Sequence, residues 1–314
     1  LDEGSPAAIA AALQHVAPAL GDYSIAVREF AGEDDPLWWS ATAVVGERFV
    51  AKFAWSRPAA LRLAHEIAVL EALAREPAVP FLPDVVASST DPLLLVTRLV
   101  PGEALFDVVD SLDRDHVGRQ LAHFLAELHH SATRERVEAL VGELPPALLQ
   151  PATTDALRDR FVKWARPDQR PAVMRWCDWV DEVLATPRPS VLVHGDLHGG
   201  NQVWDGENLR VVVDFETAGL AEAEYDLRTF PGTGPGVELL TATLRHYRQL
   251  TGRELAAERV MAWHLRTALS DALWRSEAGV PLPDHRTPPA WVDDLGKRFA
   301  ALGIDPTRHR PPRP

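Results

Sequence analysis

His194-Gly195-Asp196-Leu197-His198-Gly199-Gly200-Asn201, followed by Val211-Val212-Val213-Asp214-Phe215-Glu216, is the stretch on which the reading of this chain turns. An apolar run at Val191–Val193 delivers Asp196 into a glycine-rich turn. Asn201 follows five residues after Asp196, and Asp214 closes a second apolar run 13 residues later still. Charged and amide side chains abutting apolar strands are poorly placed for solvation, so they need a partner or a task. The runs Val191–Val193, Gln202–Trp204 and Leu209–Val213 read as short strands around turns, a β island in a chain that is mainly helical from Glu103 onward.

Toward the N-terminus the texture is different. A helix over Pro6–Leu20 precedes strand-like runs at Ser24–Phe30, Ala41–Val45 and Phe49–Phe53. The last two are joined by Gly46, Glu47 and Arg48, a composition suited to a tight hairpin with Gly46 at positive φ. The next helix has Ser56 as N-cap and Pro58 in its first turn, and runs to about Arg75. Asp84–Ser88 and Leu93–Leu99 supply two more strands before Val100-Pro101-Gly102 interrupts the pattern. Beyond it, Val117, Leu121, Phe124, Leu125 and Leu128 share one helical face, and further helices are expected near 153–166, 172–186, 236–250 and 255–277. Pro281–Pro289 reads as a surface loop and Thr307–Pro314 as a loose tail. The class is α+β: a small β-rich N-terminal lobe (1–98), a connector (99–102) and a larger, mainly helical C-terminal lobe (103–314).

Composition narrows the function. With 46% hydrophobic and 25% charged residues among 314, the chain has the make-up of a globular protein, and no apolar run approaches the length of a membrane span. Its single cysteine, Cys177, excludes an internal disulfide and a cysteine-based zinc site, so the cytoplasm is the expected compartment. A net charge of −13 argues against a nucleic-acid partner. Of 32 basic residues only Lys52, Lys163 and Lys297 are lysines. Lys52 therefore stands out within Phe49-Val50-Ala51-Lys52-Phe53, a strand pattern.

The β island matches the needs of phosphoryl transfer. One carboxylate orients the attacking hydroxyl and accepts its proton, while an amide and a second carboxylate offer hard oxygen ligands to Mg²⁺. The pattern His-x-Asp-x₄-Asn followed by Asp-Phe-x resembles the catalytic and metal loops of the bilobal protein-kinase-like fold. In the form His194-Gly195-Asp196-Leu197-His198-Gly199-Gly200-Asn201 it is similar to the aminoglycoside-phosphotransferase, or choline-kinase-like, branch. The resemblance spans about residues 40 to 230. It implies Asp196 as catalytic base, Asn201 and Asp214 as Mg²⁺ ligands, and ATP or GTP as donor to a small-molecule hydroxyl. Ala218-Gly219 through Tyr225-Asp226-Leu227 also resembles that branch, and implies that Asp226 braces the catalytic loop. The same resemblance asks for a strand lysine on the nucleotide phosphates held by a helix glutamate, and Lys52 is in place. Glu66 falls within the apolar stripe of Leu63, Ile67, Leu70 and Leu73, where a carboxylate requires a partner. By analogy the adenine docks on backbone groups near Arg98 to Val100.

The sequence also departs from the pattern. No GxGxxG precedes the hairpin; Ala31-Gly32-Glu33-Asp34-Asp35-Pro36 has one glycine and three acids. Glu216 stands where protein kinases have glycine, either as a further acid around the metal or as a solvated residue. His194 is expected to pack and hydrogen-bond beneath the loop, and His198 to support it. His194-x-Asp196-x-His198 also resembles metal-ligand spacing, which gives a metal-dependent hydrolase as the rival class, one that leaves Lys52, Glu66 and Asp214 unexplained. His129-His130 and the tryptophans read as packing or surface residues. Glu216, Glu222, Glu224 and Asp271 form an acidic set near the loop that suits a cationic, amino-bearing acceptor.

Overall fold

Side-chain alternation in one hairpin organises the N-terminal part. The computed structural model describes residues 5–31, 40–75, 79–147, 150–233 and 237–307, with backbone alone for 28–31. Segment 32–36, Trp38-Trp39 and the tail from 308 lie outside the described residues. Strands β1 (Ile25–Ala31), β2 (Ser40–Val45), β3 (Phe49–Ala54), β4 (Val85–Thr90) and β5 (Leu93–Arg98) form an antiparallel sheet of order β1-β2-β3-β5-β4. The β2–β3 turn places both Gly46 and Glu47 at positive φ, 58° and 57°, as a tight hairpin demands. Along β3, Phe49, Ala51 and Phe53 join Val45, Leu94 and Val96 in an apolar layer covered by Ile9 and Leu13 of helix α1 (Pro6–Val16). Lys52, between them in sequence, faces the opposite side. Helix α1 is shorter than expected because the chain breaks at Ala17-Pro18.

Helix α2 (Arg57–Ala74) starts where its signals stand: the Ser56 hydroxyl accepts a hydrogen bond from Ala59 N–H at 3.2 Å, with Pro58 in the first turn. It buries Arg62 and Glu66 together with Leu63, Ile67, Leu70 and Leu73. Two residues of β6 (Glu103–Ala104) follow the connector and lead into the short helix α3 (Leu105–Val108). The rest is mainly helical: α4 (Arg114–Leu128), α5 (Ser131–Val141), α6 (Thr154–Asp159), α7 (Arg170–Leu184), α8 (Glu238–Thr251), α9 (Ala257–Ala278) and α10 (Pro288–Ala301).

The β island appears as β7 (Val191–Val193), β8 (Gln202–Asp205) and β9 (Asn208–Val212), plus β10 (Gly219–Ala221), which pairs antiparallel with β7. Strand β8 is sandwiched between β6 and β9. One apolar core runs from α2 through α4 and the island, and a second joins α6, α7, α9 and α10 around Trp176, Trp179 and Phe299. Helices α5 and α10 were not foreseen. In α10, Pro288 and Pro289 occupy the first helical turn, where a missing N–H costs nothing, so a proline-rich run read as loop is partly a helix start. No helix among the described residues is long and apolar enough to cross a membrane.

Candidate active site

The most distant sequence pairing is the tightest cluster. Lys52 Nζ donates to Glu66 Oε1 at 2.8 Å, to Glu66 Oε2 at 2.9 Å and to Asp214 Oδ1 at 2.8 Å. Glu66 is 1% exposed and also accepts from the backbone N–H of Phe215 at 3.2 Å. Burial alone would depress the Lys52 ammonium, but the flanking Glu66 and Asp214 carboxylates more than reverse this and hold it above its ordinary value. Burial likewise pushes Asp214 up, and Lys52, helped by His194 and His198, brings it below the usual carboxylate range. All three side chains line a cavity of about 240 Å³ together with Thr42, Leu63, Arg62 and Glu216.

Asp214 adopts φ 73° and ψ 59°, a left-handed conformation uncommon for a residue with a side chain and costing on the order of 1–3 kcal/mol. The reversal ends β9, turns the Asp214 carboxylate to Lys52 and aims Phe215 N–H at Glu66. Arg62, one helical turn before Glu66, donates from Nη1 to Glu216 Oε1 at 2.9 Å. Glu216 is therefore paired at the cavity wall and not free in solvent. Burial and the neighbouring Asp214 push its carboxyl up to about 7, with Arg62 pulling the other way.

The turn carrying Asp196 is held from beneath. Asp226, fully buried, accepts from the backbone N–H groups of His194 and Gly195, both at 2.9 Å, and faces His129 Nε2 at 3.1 Å. Burial alone would raise its pKa, but the His129 hydrogen bond and charge lower it below the usual carboxylate value. Gly195 has φ 85°, and a Cβ there would lie 2.3 Å from Thr217 O, so only glycine fits. His194 is completely buried. Its Nε2 donates to Val213 O at 2.9 Å and its Nδ1 accepts from Asp196 N–H at 3.2 Å. Both ring nitrogens are committed, which removes His194 as a metal ligand and with it the His194-x-Asp196-x-His198 hydrolase site. Among the described residues, no group of three or more His, Cys, Asp or Glu side chains is gathered as a metal site.

Asn201 Nδ2 donates to Asp196 O at 3.0 Å, so its Oδ1 is the amide atom outside that bond. Among the described residues, the Asp196 carboxylate is neighboured by Arg228 Nη2 and His198 Nε2, each at 3.5 Å. Arg228 is anchored by Nη2 to Gly195 O at 2.6 Å and lies 4.1 Å over the Tyr225 ring.

Other expected residues sit elsewhere. Glu222 is 8% exposed, with both oxygens taken by Arg259 and one shared with Trp263 Nε1. Glu224 is 3% exposed and accepts Ala256 N–H at the start of α9. Asp271 pairs through both oxygens with Arg275 Nε at 3.0 Å. The first two are closed structural acids and not an acceptor surface. Arg98 is exposed and bonds Asp84, while its N–H and that of Leu99 go to Asp84 O and Arg48 O. Sequence reasoning missed Arg62, His129, Arg228 and Phe106, the last stacked on His198. Only Arg62 left a trace, its four-residue spacing from Glu66.

A family described as the phosphotransferase enzyme family matches residues 26–264. Viomycin phosphotransferase of Streptomyces vinaceus is 31% identical over 258 residues, spanning 75% of this chain and 84% of that protein. The solved GDP complex of wild-type aminoglycoside 2′-phosphotransferase-IIIa is similar at TM-score 0.69 and 18% identity, covering 96% of this chain and 100% of that one. A choline/ethanolamine kinase family protein from Mesorhizobium loti is similar at TM-score 0.62 and 19% identity, covering 96% and 95%. At such identities the solved structures speak for the fold, which is kinase-like.

Proposed function

The chain belongs to the phosphotransferase enzyme family and is a small-molecule kinase, and from that premise we propose that it moves the γ-phosphoryl group of ATP or GTP, with Mg²⁺, to a hydroxyl of an aminoglycoside or related amino-bearing antibiotic. The observation that carries the reading is the Lys52 ammonium shared between Glu66 and Asp214 at 2.8–2.9 Å in a cavity beside the Asp196 turn. Lys52 meets the nucleotide phosphates, Glu66 holds it extended, and Val100 lies where the adenine docks. Among the described residues the partners of the Asp196 carboxylate stand at 3.5 Å, long contacts that an acceptor hydroxyl can displace. It takes the hydroxyl proton as the acceptor oxygen bonds the γ-phosphorus and the bond to the nucleoside diphosphate oxygen breaks.

The donor set fits Mg²⁺: Asn201 Oδ1 and the Asp214 oxygen not on Lys52 are hard ligands on adjoining segments. Bound there, Mg²⁺ would offset phosphate charge. His194 and Asp226 hold the loop shape, and His198 flanks the base.

The names of the relatives, viomycin phosphotransferase and aminoglycoside 2′-phosphotransferase, support an antibiotic acceptor. The choline/ethanolamine kinase neighbour favours a second reading, a metabolite kinase of the choline, homoserine or sugar type. The test is nucleotide consumption, with ATP and with GTP, across viomycin, aminoglycosides, amino alcohols and neutral sugars. Turnover is expected with an amino-bearing antibiotic, with an acceptor KM that rises from low to moderate salt as charge attraction is screened. Turnover confined to choline or a neutral sugar overturns the acceptor assignment, and no turnover with any of them overturns the reading itself.

A further inference from the structure

With Glu222 and Glu224 closed off, the acceptor must be met by something else near Asp196. Phe106, in helix α3, is 52% exposed beside the loop that carries Asp196. Its ring is stacked on the imidazole of His198, with centroids 5.9 Å apart and planes 6° from parallel. It also lies against the loop backbone: a Cβ on Gly199 would come within 2.7 Å of Phe106 Cδ1. His198 Nε2 is in turn 3.5 Å from Asp196 Oδ2. Carboxylate, imidazole and phenyl ring therefore form one continuous strip along the turn, ending in an open aromatic surface. Glu103 and Asp107, on either side of Phe106 in the chain, are exposed, so the potential around that surface is negative.

We propose that Phe106 is the platform on which the acceptor lies, and that it selects an amino-bearing ring. This rests on the phosphoryl-transfer reading and deepens it. A phenyl face attracts a protonated amine through its quadrupole and packs against the apolar face of a sugar ring. A ring seated there has its hydroxyls one stacked side chain away from the base. This accounts for Gly199, since any side chain there would lift the phenyl ring off the loop.

The test uses kanamycin and viomycin as probes, with glucose as the neutral control, on the full chain and its Phe106→Ala and Phe106→Tyr variants. Phe106→Ala is expected to raise the acceptor KM about tenfold, the size of a partly desolvated cation–π contact, while kcat and nucleotide KM stay within about twofold. Phe106→Tyr, which keeps the ring, restores the wild-type KM. A rise in nucleotide KM with acceptor KM unchanged would place the ring against the nucleotide and overturn the proposal, as would an unchanged KM for both. Calorimetric binding separates this from failure of the transfer reading. If no phosphoryl transfer occurs to any probe, the transfer reading fails, yet weaker kanamycin binding in Phe106→Ala than in wild type still supports the platform. Equal binding in the two, or none to the wild type, overturns it.

Discussion

Two sets of acids, one lining the cavity and one buried in the packing, are neutralised in opposite ways. In the cavity, the cations Lys52 and Arg62 face the carboxylates Glu66, Asp214 and Glu216, and the imbalance opens onto space. Behind the turn, Glu222 is closed by Arg259 and Trp263, Glu224 by a backbone N–H, and Asp226 by two backbone N–H groups and His129. What separates them is whether the oxygens are already spent. An acid with a vacant lone pair beside a cavity can act on a ligand, whereas one whose donors are all in place holds backbone.

The contrast breaks most readily at Asp196. Asp196→Ala should reduce turnover by about 10²- to 10⁴-fold with nucleotide affinity nearly unchanged, measured by steady-state kinetics and direct nucleotide binding. Turnover near wild type would remove Asp196 from the reaction. Next in size is a paired comparison across the turn. Glu222→Gln, which leaves Arg259 buried and under-compensated, should cost about 3 kcal/mol of stability in chemical denaturation while the folded fraction keeps its activity. Glu66→Gln should do the reverse, losing activity through a misheld Lys52 with less effect on stability. If both variants behave alike, the division between the two sets is wrong.

Lys52→Arg sharpens the comparison from within the cavity. A broader guanidinium cannot sit as a point donor between Glu66, Asp214 and a phosphate, so strongly reduced kcat is expected despite the conserved charge. Asp214→Ala and Asn201→Ala should each raise the Mg²⁺ concentration needed for half-maximal activity, Asp214→Ala more because it loses a charge; an unchanged Mg²⁺ titration in both would remove them from the metal. The smallest effect belongs to an exposed pair. Arg98→Ala, losing its contacts with Asp84 and with the Phe49 ring, should change stability by less than about 1 kcal/mol and leave nucleotide KM alone.

Much of this was legible because it is local. The hairpin at Gly46, the Ser56 cap and the apolar stripe around Glu66 are patterns within a few residues, and the loop from His194 to Asn201 with Asp214 carries its own spacing. Glu222 and Glu224 misled because their partners are far along the chain: Arg259 lies 37 residues beyond Glu222, and Ala256 lies 32 beyond Glu224. Composition marks such residues as charged and nothing marks them as paired. Arg62 was missed although it stands one turn from Glu66. Its partner, Glu216, is 154 residues away, and α2 offers no local sign that a third acid would join the cavity. Phe106 was unreadable for the opposite reason, since a lone aromatic in a short helix has no periodicity to betray its exposure.

The alternation along β3 has a consequence for residues that never meet a ligand. Lys52 reaches Glu66 and Asp214 only while Phe49, Ala51 and Phe53 are seated against α1, and in a strand the two conditions are one. Ala51 is fully buried, so a larger side chain there has nowhere to go except by moving the strand. A change such as Ala51→Leu would therefore turn the ammonium away from its target without altering a single polar group. The aim of the lysine is set by the girth of an alanine on the reverse side of the sheet.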